Sequence, residues 1–133
     1  MEIKDKEGKT RIKFYNYKKV YNDIPVFIEV SVETLIGNAT AKESTAIELS
    51  DINELALNAR KLYNTLKYTF YFQPIETQVQ LKFEPLLTGN ILVTGFLKDK
   101  FYTYTLNFSF EMSPSELLNM IEQSENIYEV LNT

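Results

Sequence analysis

Residues 101–112, FYTYTLNFSFEM, alternate large apolar with small or polar side chains without a break. Tyr102, Tyr104, Leu106, Phe108, Phe110 and Met112 form one row, and Thr103, Thr105, Asn107, Ser109 and Glu111 form the other. A strand sends successive side chains to opposite faces, so a period of two sorts these rows onto a dry side and a wet side; a helix would mix them. The chain must therefore build a sheet with one covered face. The same signature recurs in VFIEVSVETLIG, where Val26, Ile28, Val30 and Val32 alternate with Phe27, Glu29, Ser31 and Glu33. It recurs again in QVQLKFEP, with Val79, Leu81 and Phe83 as the apolar row, and in NILVTGFL, with Ile91, Val93 and Leu97. RIKFYNY, STAIELS and YTFYFQP are further strand candidates, and KDK at 98–100 has the length of a hairpin connection.

Two segments follow a different period. Ile52, Leu55, Ala56, Ala59, Leu62, Tyr63 and Leu66 recur at steps of three and four, and Asp51 with Glu54 has capping-box spacing. In SPSE, Ser113 is placed to cap, Pro114 stands where its missing N–H costs nothing, and Glu116 completes the box. Leu117, Met120, Ile121, Tyr128 and Leu131 then form a stripe with Ser124 in its middle. Helices are expected over 51–66 and 114–130. The predicted fold class is α+β: a largely antiparallel sheet of about six to seven strands, with two amphipathic helices packed on one face. A small closed or half-closed barrel is the competing arrangement. Residues 1–133 are expected to form a single domain, with the highly charged residues 1–10 a flexible arm.

Absent residues narrow the chemistry. With neither His nor Cys in 133 residues, a Ser-His-Asp triad, a thiol nucleophile and a thiolate or imidazole zinc site are all ruled out. TGNILVTG lacks the Lys-Ser/Thr of a phosphate cradle, and no Asp-rich loop has cation-ligand spacing. The expectation is therefore no enzymatic activity, no cofactor and no metal. No apolar run has the length of a membrane span and residues 1–20 are charged rather than signal-like, so the expected location is the cytoplasm.

The stretches IELSDINELALNARKLYNTL at 47–66, GNILVTGFL at 89–97 and LNFSFEMSPSELLNMIEQ at 106–123 resemble the WapI-type immunity proteins, a bacterial family encoded beside cell-wall-associated polymorphic toxins. The resemblance covers roughly residues 26–131 and departs from the family at MSPSE, where members tend to carry Asp. It implies a binding protein that neutralises a cognate toxin domain by occluding its working surface. It brings no catalytic motif.

Three groups of residues are candidates for function. Residues 1–20 hold seven Lys or Arg against three acids, a net of +4; the chain as a whole is −4, so the rest carries −8. KFYNYKKVY interleaves bases with aromatics, as a platform for single-stranded nucleic acid does, but lysines on an edge strand account for it better in a chain of acidic pI. No nucleic-acid or membrane partner is expected. On the last helix, Glu122, Glu125 and Glu129 share one flank, and no Lys or Arg follows residue 100. Like charges at such spacings repel by about 0.2–0.5 kcal/mol per pair, and the C-terminal ones oppose the helix dipole. A locally unfavourable choice marks a surface that meets a partner, here a basic toxin domain. Tyr102 and Tyr104, on the apolar row near a turn, are placed to reach the surface. The alternative role is a small ligand-binding or homo-oligomeric assembly module, with a homodimer joined through a sheet face or edge.

Overall fold

A computed structural model describes residues 1–20 and 23–133. Among these, eight strands and two helices follow in the order β1 (Glu2–Lys4), β2 (Thr10–Lys19), β3 (Phe27–Ile36), β4 (Ala39–Glu48), α1 (Leu49–Thr65), β5 (Phe70–Phe72), β6 (Val79–Pro85), β7 (Ile91–Lys98), β8 (Thr105–Met112) and α2 (Pro114–Leu131). The class is α+β and every strand pair is antiparallel, but there are two four-stranded sheets, β1-β2-β3-β4 and β5-β6-β7-β8, in place of one sheet of six to seven strands. The helix explains the division. Seventeen residues of α1 and a short connector separate β4 from β5, so β5 pairs with the strand that follows it rather than with the strand before the helix.

Alternation places side chains as expected within each sheet. In the first, the pairs Phe14↔Val32, Val30↔Thr45 and Ile28↔Ile47 lie on the covered face. In the second, Phe83↔Val93↔Phe110 and Leu81↔Gly95↔Phe108 do the same. Phe70 stacks on Phe83 with centroids 4.7 Å apart, and Phe14 of the first sheet meets Phe72 of the second edge-on at 5.9 Å. The two inner faces thus share one hydrophobic cluster, to which α1 and α2 add Ile52, Leu55, Leu62, Leu117, Met120 and Ile121. The helices pack against each other; α2 also meets β1, and α1 meets β4 and β5. They bridge the two sheets rather than lying together on one face of a single sheet.

Both helix starts are capped, with differences from the spacing argument. The cap of α1 is Glu48, not Asp51: its side chain takes the amide of Asp51, and the Asp51 carboxylate accepts the Glu48 amide at 2.8 Å. Ser113 caps α2 by accepting from the Glu116 amide at 3.3 Å, with Pro114 in the first turn. The α2 cap shows this bond and no return bond from Glu116, whose Oε2 is buried without a hydrogen-bond partner. Ser124, in the middle of the apolar stripe, is satisfied by donating to the Met120 carbonyl at 2.8 Å.

The first ten residues are not an arm. Ile3 is fully buried in β1, which pairs with β2. Asp5 closes the turn by accepting the amides of Glu7 and Lys9 and pairs with Arg11 at 2.8 Å. Charge density hid a strand of three residues with a single apolar anchor. KFYNYKK belongs to β2, which follows β1 in the sheet order, but β1 pairs it only over Thr10–Lys13, so Lys18 and Lys19 pair with β3 and not with β1; Val20 follows the strand and Tyr21 lies outside the described residues.

Candidate partner-binding surfaces

The acidic flank of α2 is exposed at Glu122, Glu125 and Glu129. It is not uncompensated. Arg60 Nη2 of α1 donates to Glu125 Oε1 at 2.8 Å, a half-exposed pair worth about 0–1 kcal/mol. Lys19 Nζ donates to the Thr133 carbonyl at 2.9 Å, supplying near the helix end the cation that the helix itself lacks. Lys6 reaches Glu111 at 3.5 Å, so basic residues of the first twenty lie against the acidic C-terminal part. Glu122 and Glu129 take part in no ion pair among the described residues.

A second surface is built from two loops of the second sheet. The turn between β7 and β8 runs from Asp99 to Tyr104, longer than the KDK connection and taking two tyrosines off the strand. Asp99 is the reason. Its carboxylate accepts the amides of Thr103 at 2.6 Å and Tyr104 at 2.9 Å, and the Thr103 hydroxyl at 2.5 Å. Such a side chain offers the backbone an alternative to the ladder. Tyr102 adopts a left-handed backbone with φ 57°, and Thr77 of the facing loop shares a hydrogen bond with its phenol at 3.1 Å. The hydrogen bonds of Thr103 and Tyr104 hold the Asp99 carboxyl below its ordinary pKa. The Tyr104 phenol donates to Glu43 of β4, a bond that pushes its pKa up to about 12.

The aromatic row thus does not continue to the turn as a covered face. Phe101 is 78% exposed, Tyr102 51%, and Ile75 of the facing loop 72%. Beside them a cleft of about 460 Å³ separates these loops from β3 and β4, lined by Glu29, Ser44, Thr45, Glu76, Lys100 and Tyr102 among others. Neither Glu29 nor Glu76 makes an ion pair among the described residues. Thr45, only 4% exposed, has a hydroxyl without a hydrogen-bond partner. Tyr102 and Tyr104 were visible in the sequence; Phe101, Ile75, Glu29 and Glu76 were not, since they converge only through the packing of two sheets.

No group of three or more Asp or Glu placed to hold a metal ion occurs among the described residues, and none of their helices is long and apolar enough to cross a membrane.

These features define a two-sheet α+β scaffold with exposed loop and helix surfaces. Its fold is similar to that of WHY1 from Arabidopsis thaliana, with a TM-score of 0.50 and 14% identity over 88% of this chain and 75% of that one. The plant transcriptional regulator PBF-2 aligns with a TM-score of 0.49 and 12% identity over 88% of this chain and 72% of that one. At such identity the likeness concerns the fold alone. No curated protein matches the sequence. A model of the immunity protein WapI-like family matches residues 2–132, nearly the whole chain, and the chain belongs to that family.

Proposed function

We propose that the chain is an immunity protein that neutralises a cognate toxin domain by binding it directly in the cytoplasm. The family match over residues 2–132 carries this reading. The residue inventory agrees with it, since a chain without His or Cys has few routes to destroying a toxin catalytically but every means of covering one. Occlusion needs only a preformed surface of ordinary interface size, about 800 Å² per partner.

The acidic flank of α2 enters as a steering element. Glu122, Glu125 and Glu129 stand on one exposed helix face of a chain with net charge −4, and a basic toxin domain approaching it is accelerated by that field. Glu125 contributes less than the other two, because Arg60 already neutralises it. The test is coexpression with the toxin domain encoded beside the chain's own gene, followed by purification of both. Restored growth together with a co-eluting complex is expected. Protection without a complex would mean that immunity works by some other route.

A further inference from the structure

We infer that the loops 75–78 and 99–104, with the cleft between them and β4, form the contact centre for the protein partner, and that the cleft receives an Arg or Lys side chain of that partner. The inference rests on the direct-binding reading above and adds to it a place and a chemistry.

Three independent observations lead there. The first is exposed apolar area that no core requires. Ile75 and Phe101 stand more than two-thirds in water on adjacent loops, and Tyr102 joins them half-exposed. Large rigid side chains held out in this way are typical of the few residues that dominate a protein interface. The second is preorganisation. Asp99 pins the Thr103 and Tyr104 amides, Thr77 holds the Tyr102 phenol, and Tyr104 ties the loop to Glu43. Ordering these side chains therefore costs little at the moment of binding.

The third is charge. Two carboxylates, Glu29 and Glu76, line the cleft without cationic partners, against one Lys. Tyr102 lines it too, with Lys98 Nζ 5.7 Å from its ring centroid, so a guanidinium or ammonium entering there is met first by the two carboxylates. A small apolar ligand fits this lining poorly, whereas a basic side chain projecting from apolar surroundings fits the carboxylates of the cleft and the exposed Ile75 and Phe101 on the loops beside it.

The experiment measures binding of the recombinant toxin domain encoded beside the chain's gene to wild type, to Ile75→Ser/Phe101→Ser and to Glu29→Gln/Glu76→Gln. All four positions are exposed, and circular dichroism and urea melts of each variant verify that the fold is kept. The apolar pair is expected to weaken affinity by roughly ten- to a hundredfold, mainly in the off-rate. The carboxylate pair is expected to do so by at least about tenfold. Hydrogen exchange of the complex should show protection at 75–78, 99–104 and β4. Variants that bind like wild type, with protection elsewhere, overturn the assignment of this surface while leaving direct binding intact. Failure of wild type itself to bind that domain overturns the direct-binding reading and this inference together. Sedimentation of the free chain separates the remaining occupant: a dimer abolished by Ile75→Ser/Phe101→Ser would show that the patch serves a second copy, against the inference.

Discussion

At Gly95 a single methyl group has nowhere to go. A Cβ there would stand 2.2 Å from the Gln80 carbonyl oxygen of β6 and 3.1 Å from Phe108 Cζ, so backbone must move before it fits. Gly95→Ala is expected to destabilise by about 1–3 kcal/mol in urea melts, the usual cost of forcing atoms into a packed core. Its neighbour across the ladder, Phe108, is buried by the same close approach. Phe108→Ala is expected to cost about 3–5 kcal/mol, while the adjacent exposed Ser109→Ala should stay within about 0.5 kcal/mol. Asp5 carries a pH dependence. Burial works against its carboxylate, but the Lys9 amide, Arg11 and the Glu7 amide together hold its pKa below the usual aspartate value. A folded pKa below the unfolded one favours the fold above about pH 4 and loses that contribution as pH falls through the folded value. The stability gap between wild type and Asp5→Asn, read from urea melts across pH, should be widest near neutrality and close in acid.

At the scale of elements, how much could be read beforehand followed from the range of the interaction that fixes each one. The alternation in β3, β6, β7 and β8 and the stripes of both helices are local, and sequence alone located them. β1 is too short to show a period; its burial depends on pairing with nearby β2 and on packing against α2, at the other end of the chain. The end of β8 moved because the side chain of Asp99 outcompeted the ladder for the Thr103 and Tyr104 amides, which alternation does not register. Asp99→Ala should therefore raise hydrogen-exchange rates at those two amides while leaving the β6 and β7 amides protected. The partner of Glu125 was equally hidden, since Arg60 lies on the other helix. This changes what Glu122→Gln/Glu125→Gln/Glu129→Gln should do. Loss of the Arg60 pair, up to about 1 kcal/mol, offsets a few tenths gained from removing repulsion, leaving folding intact. Association with the toxin domain should slow, and its salt dependence should flatten.

For the whole molecule, the partition into two sheets decides where function can sit. Strand patterning is blind to which sheet a strand joins, and the cleft exists only because loops of the second sheet pass beside β4 of the first. The acidic flank, by contrast, is a property of one helix and was legible from spacing. In the proposed reading, long-range charge and short-range contact are thus carried by different parts of the chain. The claim that unites them is neutralisation by occlusion, and titration of toxin activity tests it most directly. A fixed amount of the toxin domain is incubated with increasing amounts of the chain and its residual activity is measured. Occlusion requires activity to fall linearly and reach its floor at a fixed molar ratio of the two proteins, unchanged by longer incubation. Progressive inactivation of a large excess of toxin by substoichiometric chain would contradict it, since a protein that only covers its target cannot act on more than it binds.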